Sequence, residues 1–220
     1  MNDKERLAVL EEALAQVIKP LKGIPFNVVI RALAGHQVIP IDKSAPEDTQ
    51  LVAKLALAAK EVGEAVRLKP IERPRPNEVG NDIEGYILTA LNKMGIDCAR
   101  PTSSDGRGKS TGYPDLLIVD DGRPTYLEAK IFGADTAESS MRSFYLSPSE
   151  SFKVAKDARH LLMAFEMVRT PIPGSNISSF TAKAFKLVDL HDLICDMKSE
   201  FNSDNRRLYA PSMILAQGAV

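Results

Sequence analysis

The first part of the chain has its hydrophobic residues at the spacing of α-helices. Leu7, Leu10 and Leu14 lie three and four residues apart, so they share one face of a helix that ends near Pro20. A second helix is predicted to end at Gly35, a typical C-terminal cap, and a third begins after Ala45 with a proline and an acidic first turn. The pattern predicts a self-contained helical region over residues 1–70.

The pattern changes after residue 70. A segment with Pro70, Pro74 and Pro76 cannot continue a helix, and we interpret it as the joint to a second part. Beyond it, the pattern predicts a helix over 81–95, a strand over 96–100, a polar loop, a hairpin, a helix over 146–158, strands over 159–168 and 180–190, and a helix over 191–201. This order predicts an α/β layer and not a doubly wound Rossmann fold.

Composition narrows the class of protein. A chain of 220 residues with 44% hydrophobic and 26% charged residues fits a globular protein with one sizeable core, not a disordered or fibrous one. The charged N-terminus, the absence of a long apolar run and two cysteines without zinc or disulfide spacing predict a cytoplasmic protein. The net charge of −1 does not decide for or against nucleic acid, because a polyanion needs only a local basic surface.

Residues 111–130, TGYPDLLIVDDGRPTYLEAK, predict two strands joined by a turn at Gly122. Side chains alternate along a strand, so Glu128 and Lys130 project to the same side of the second strand. Antiparallel pairing about Gly122 places Asp115 opposite Ala129, within one residue. The hairpin therefore brings two carboxylates and an ammonium together.

Such a group of charges predicts a metal site. Two carboxylates in one small area repel each other unless a cation neutralises them, and magnesium prefers oxygen ligands. The ammonium of Lys130 would hold a water at the metal and face a phosphate, which is the apparatus of phosphodiester hydrolysis. The structural alternatives are a turn residue at Asp115 after Pro114, and a solvated strand face for Glu128 and Lys130.

Pro114-Asp115, twelve residues and then Glu128-Ala129-Lys130 resemble the motif of the PD-(D/E)XK nuclease superfamily, most closely its type II restriction endonucleases. The resemblance extends over residues 77 to about 209 and is specific at the hairpin. It implies an α/β fold with a restriction-endonuclease-like core, a mixed sheet flanked by helices, in residues 71–220. It also implies that residues 1–70 serve dimerisation or DNA clamping.

The resemblance further implies an acidic residue on the helix before the first core strand. Glu84 matches this position best, with Glu78 and Asp82 as alternates. Glu84 would also form a capping box if Asn81 were the N-cap, and the two roles are compatible. The implied catalytic residues are Asp115, Glu128, Lys130 and Glu84, and the implied Mg²⁺ ligands are Asp115, Glu128, Glu84 and the backbone carbonyl of Ala129.

Cations and polar side chains in three loops and one helix are candidates for DNA contact, because phosphates need donors and base edges need long polar side chains. Taken singly, each also fits an ordinary solvated surface. The candidates are Arg100, Ser103, Ser104, Arg107, Lys109, Lys153, Asn176, Asn205 and Arg206. His36, His160 and His191 have no metal-ligand spacing and predict packing or surface roles.

These features predict a type II restriction endonuclease that hydrolyses double-stranded DNA at a short palindromic site, uses Mg²⁺ and leaves 5′-phosphate ends. A palindrome implies a two-fold homodimer. A structure-selective nuclease, such as a Holliday-junction resolvase, would keep the same hairpin, but the balanced charge disfavours it. A non-cleaving DNA-binding module is disfavoured by the intact set of Asp115, Glu128 and Lys130.

Overall fold

The computed structural model describes residues 3–103, 105–106, 112–136, 144–148, 151–198 and 203–216. It divides into two compact units, one formed by residues 1–24 and 195–220 and the other by residues 25–194. The smaller unit contains the helices α1 (Asp3–Val17) and α5 (Asn205–Leu208) and a 3₁₀ turn, Pro211–Met213. The larger unit contains α2 (Phe26–Ala34), α3 (Pro46–Leu68), α4 (Pro76–Lys93) and a 3₁₀ turn, Ala134–Thr136.

A six-stranded mixed sheet forms the centre of the larger unit. Its strands are β2 (Ile71–Arg73), β3 (Asp97–Ala99), β4 (Leu116–Asp120), β5 (Arg123–Phe132), β6 (Arg159–Pro171) and β7 (Ser178–Asp189), in the spatial order β2-β7-β6-β5-β4-β3. β3, β4 and β5 form an antiparallel meander, and β6 pairs parallel to β5. The short strands β1 (Ile24–Pro25) and β8 (Ile194–Cys195) form a separate two-stranded sheet. The central position of β5 means that its residues are held from both sides.

α3 and α4 share their hydrophobic core with the sheet. The core includes Leu55, Val62, Ile83, Ile87, Leu91, Leu127, Leu161 and Phe165. Burying one such side chain contributes roughly 1.5–3 kcal/mol, so α3 is stabilised by packing on the sheet and on α4. The boundary expected at residue 70 therefore does not coincide with a division of the structure.

A buried acid fixes the start of α3 to two strands. The Asp48 side chain is almost fully buried, and its Oδ1 lies 2.5 Å from Arg159 Nη2 and 3.6 Å from Arg123 Nη1. Its Oδ2 accepts a hydrogen bond from the backbone N–H of Asp42 at 2.9 Å. An acidic first turn, predicted for its favourable interaction with the helix dipole, thus also joins α3 to the starts of β5 and β6.

Several predicted elements are confirmed. α1, α2 and α3, the strand at 97–99 and the strands β6 and β7 lie where the hydrophobic pattern placed them. Gly35 caps α2 in the left-handed region at φ 74°. The hairpin turns at Asp121 and Gly122, both with positive φ (50° and 73°), as a tight turn requires.

The segment after residue 68 was predicted wrongly as a simple joint. Ile71–Arg73 is a strand paired with β7, and α4 begins at Pro76, whose fixed φ and missing N–H suit the first helical position. Asn81 therefore lies inside the helix and is not its N-cap. The capping-box role considered for Glu84 is wrong.

Two predicted helices are also wrong. Residues 151–157 are not helical: Phe152, Lys153 and Val154 are buried in succession, whereas neighbouring residues of a helix point in directions about 100° apart. Residues 191–198 form a turn and β8, because the backbone carbonyls of His191 and Leu193 accept hydrogen bonds from residues at the start of α2. Both segments take their conformation from contacts with residues that are distant in the chain.

In the part of the chain that the structure describes, no helix is long and apolar enough to cross a membrane.

Candidate active site

Asp115 lies immediately before β4, at the mouth of the hairpin. Its Oδ2 accepts a hydrogen bond from the backbone N–H of Ala129 at 2.9 Å. The strand ladder, in which Leu116 pairs with Leu127, agrees with this contact. The predicted register is confirmed, and it fixes the Asp115 carboxylate against the strand that carries Glu128 and Lys130.

Glu128 is a buried carboxylate with an unsatisfied oxygen. Its Oε1 lies 2.7 Å from Lys130 Nζ, whereas Oε2 is buried and has no hydrogen-bond partner among the described residues. Burial and then the nearby Asp115 carboxylate raise the pKa of Glu128 to about 7, against the partial opposition of Lys130. Two acceptor groups that face each other in this way require a proton or a cation between them. The buried Glu128 carboxylate therefore fits the role of a metal ligand.

Lys130 remains an ammonium in this environment. Burial lowers its pKa, but the carboxylates of Glu128 and Asp115 outweigh that effect, and the net shift is upward. At neutral pH the side chain therefore donates hydrogen bonds and does not act as a free amine base. With its side chain one-third exposed, the ammonium also remains accessible to a substrate.

Glu84 lies on α4, near the Asp115 carboxylate. Burial and then the charge of Asp115 raise its pKa, while Arg100, whose Nη2 lies 3.5 Å from Glu84 Oε2, opposes the shift. The alternate candidate Asp82 is bound instead by Arg73, at 2.8 Å. Within the described ranges, no three His, Cys, Asp or Glu side chains are arranged to hold one ion. The closely placed pair is Asp115 and Glu128, and magnesium commonly takes only one or two protein carboxylates.

The segment that leads into Asp115 is held from two sides. Tyr113 is buried, and its hydroxyl lies 2.6 Å from Nδ1 of His160, a fully buried residue of β6. Lys153 Nζ donates hydrogen bonds to the carbonyls of Gly112 and Pro114, at 2.7 and 3.1 Å. Sequence reasoning missed both anchors, although an apolar neighbourhood around Lys153 and His160 was visible. A packing or a surface role was predicted for His160, and the structure confirms the packing role.

Comparisons with known proteins agree with this geometry. Residues 19–212 match the model of the type II restriction enzyme MjaV family. The chain belongs to this family. The type II restriction enzyme MjaV of Methanocaldococcus jannaschii is 38% identical over 231 residues, covering 98% of this chain and 97% of that protein. No solved structure matches the chain.

Membership of the MjaV family confirms the predicted class of enzyme. The protein is a type II restriction enzyme, a site-specific deoxyribonuclease that acts on double-stranded DNA. Enzymes of this kind generally use a divalent metal ion, and the carboxylate pair Asp115 and Glu128 fits such an ion. The resolvase and the non-cleaving module are the alternatives that this family assignment disfavours.

The residues of this restriction enzyme that were predicted to contact DNA differ in their burial and in the part of the structure where they lie. Arg100 is exposed and close to Glu84, whereas Ser103 is buried and donates from Oγ to Asp105 at 2.6 Å. Asn176 is exposed in the loop between β6 and β7. Asn205 and Arg206 are exposed on α5, in the smaller unit, and Ser104, Arg107 and Lys109 lie outside the described residues. Lys153 was expected on a helix surface, but the structure places it in the interior.

The raised pKa of Glu128 predicts a pH dependence of stability for the metal-free restriction enzyme. Between the ordinary value of 4.5 and about 7, the folded state binds more protons than the unfolded state. The free energy of unfolding should therefore fall as pH rises through this window, by up to about 3 kcal/mol. Glu128→Gln should remove that decline, whereas Glu72→Gln on the exposed strand β2 should keep it. Urea unfolding in EDTA from pH 4.5 to 7.5 measures the effect, and an unchanged decline in Glu128→Gln would contradict the assignment.

Proposed function

We propose that this restriction enzyme is a PD-(D/E)XK nuclease that uses Mg²⁺ to cut a short palindromic site and leaves 5′-phosphate and 3′-hydroxyl ends. The observation that carries the proposal is the carboxylate pair at the mouth of the hairpin. Asp115 is fixed by the N–H of Ala129, and beside it Glu128 keeps a buried oxygen without a described hydrogen-bond partner.

The order of elements supports the superfamily. α4 precedes the antiparallel meander of β3, β4 and β5, and β6 then returns parallel to β5. Asp115 lies immediately before the second strand of this meander, and Glu128 and Lys130 lie on the third, which agrees with the resemblance. Glu84 on α4 adds a further carboxylate near Asp115.

The side chains of this site have separate tasks. Asp115, Glu128 and the carbonyl of Ala129 would hold the ion. When bound, magnesium supplies activation of water and neutralises charge on the phosphoryl group. Lys130, as an ammonium, donates to the attacking water or to a non-bridging phosphate oxygen, and stabilises the negative charge that develops there. We infer that the exposed Arg100, whose Nη2 lies 3.5 Å from Glu84, contacts the DNA backbone.

The test is a digest of phage DNA by the purified protein with magnesium, with EDTA and calcium as controls. We expect discrete fragments in magnesium alone. If the fragment ends carry 5′-phosphates, a DNA ligase should rejoin them without prior phosphorylation. A smear would contradict sequence-specific cutting. Cleavage confined to four-way junctions would favour a resolvase instead.

We also propose a homodimer, because a palindrome is read by two copies related by a two-fold axis. The residues Leu7, Leu10 and Leu14 on α1 are exposed by 44–59%, which is a large apolar area for a surface helix. Wild-type protein should sediment as a dimer, and Leu10→Glu with Leu14→Glu should shift it towards monomer. Leu68→Glu, at an exposed leucine of α3, is the matched control. A wild-type monomer both free and on its DNA would refute the dimer.

A further inference from the structure

Lys153 is a buried cation whose position does not suit a DNA contact. Only 4% of the residue is exposed, and its Nζ donates to the carbonyls of Gly112 and Pro114. The chain around it is fixed to the sheet, because the backbone N–H of Ala155 donates to the hydroxyl of Tyr126 at 2.9 Å. Lys153 therefore joins a segment anchored on β5 to the two residues on either side of Tyr113.

Tyr113 supplies an independent anchor for the same segment. Its hydroxyl lies 2.6 Å from His160 Nδ1, and the two rings stack with centroids 5.8 Å apart. Burial lowers the pKa of His160 to about 3, so the imidazole is neutral, and its Nδ1 shares a hydrogen bond with the phenol hydroxyl. His160 itself pairs with Tyr126 across β6 and β5. The residues immediately before Asp115 are thus fixed through both their backbone and their side chain.

A lysine at this place has a specific effect that an apolar residue would lack. Buried backbone carbonyls need donors, and a buried ammonium needs several acceptors, so each satisfies the other. The charge also lies near the acidic site, since Lys153 partly opposes the rise in the pKa of Glu84. The free-energy cost of burying the ammonium and its position near the acidic site together favour a role for Lys153 in the arrangement of the carboxylates.

We propose that Lys153 is a positioning residue of the active site, which holds Gly112 and Pro114 so that the Asp115 carboxylate stays against Ala129, next to Glu128. This inference rests on the proposed metal-dependent cleavage. It assigns Lys153 a function different from the phosphate contact expected from the sequence. Residues that orient metal ligands typically change metal affinity 10–100-fold when they are replaced.

The two roles differ in their dependence on salt. A lysine that contacts a phosphate contributes about one unit to the slope of log affinity against log salt concentration, whereas a buried positioning lysine contributes nothing to it. An arginine would preserve a phosphate contact, but its larger planar group does not fit the acceptors of a buried ammonium. Lys153→Arg therefore separates the roles as well as Lys153→Met does.

The experiment compares wild-type protein with Lys153→Met, Lys153→Arg and Lys156→Met, an exposed lysine three residues away that serves as the control. Three quantities are measured: DNA affinity in EDTA as a function of salt, calcium binding to the protein alone by calorimetry, and the magnesium dependence of single-turnover cleavage. Both Lys153 variants should keep the wild-type DNA affinity and salt slope. They should bind calcium roughly 10–100-fold more weakly and need correspondingly more magnesium, whereas Lys156→Met should leave metal binding unchanged.

A lower salt slope in Lys153→Met with unchanged metal binding, or full activity in Lys153→Arg, would overturn the inference. If Lys153→Met does not fold, as judged by circular dichroism, the folded variant Lys153→Arg decides the question. Wild-type calcium affinity in Lys153→Arg would then refute the positioning role. If the wild-type protein neither binds calcium nor cuts in magnesium, the proposed function fails instead, so the two failures are distinguishable.

Discussion

Replacing Asp115 by alanine should abolish DNA cleavage while the protein remains folded. The variant loses one of the two closely placed carboxylates, so the site can no longer hold a divalent ion against the phosphate. Folding should survive, because two effects oppose each other. The N–H of Ala129 loses its acceptor, at a cost of about 1–3 kcal/mol, but the repulsion that raises the pKa of Glu128 is relieved.

Single-turnover cleavage measures the loss of activity, and urea unfolding measures the stability. Asp115→Asn is the matched control for structure, since its amide oxygen still accepts the hydrogen bond from Ala129. Asp115→Asn should be as stable as the wild type at neutral pH and still inactive. A rate near that of the wild type in Asp115→Ala would show that the hairpin is not the metal site.

Replacing Lys130 by alanine should separate catalysis from metal binding. The substitution removes a positive charge 2.7 Å from Glu128, so the site becomes more negative and metal affinity should stay equal or rise. DNA binding in calcium should persist. Cleavage in magnesium should fall by roughly 10²–10⁴, because the transition state loses a positioned charged donor.

Glu128→Ala is the variant with which Lys130→Ala is compared. Loss of Glu128 removes a ligand, so metal binding should weaken and high magnesium should restore part of the cleavage rate. A magnesium titration of single-turnover cleavage distinguishes the two variants. Rescue of Lys130→Ala by magnesium, with no rescue of Glu128→Ala, would reverse the roles proposed for them.

The hairpin was predictable because its determinants are local. Side-chain alternation set which residues share a face, and the Asp121-Gly122 turn set the register, so the proximity of Asp115 to Ala129 followed from the amino-acid sequence. The same holds for Gly35 as the cap of α2. α4 also had a local signal, the proline at its first position, which was interpreted as a helix breaker and not as a start.

The anchors of the site were not predictable in this way. Lys153 and His160 reach Gly112, Pro114 and Tyr113 through contacts between distant parts of the chain, and no periodicity encodes such contacts. Hydrophobic pattern and charge predict a helix surface for Lys153, because lysine is rarely buried without partners. Only the tertiary structure shows that backbone carbonyls supply those partners.

Protein synthesis produces β2 long before its partner β7. Ile71 pairs with Phe180, and the core that covers α3 includes Phe180 and Phe165, so α3 lacks these strands to pack on until late in translation. Ribosomes add about 5–20 residues per second, and a domain folds as a unit once its sequence is available. The acidic residues of the hairpin are therefore made several seconds before the strand that completes their support. A nascent chain therefore carries Asp115 and Glu128 before β6 exists to pair with β5, so the carboxylate pair gains its full support only late in synthesis.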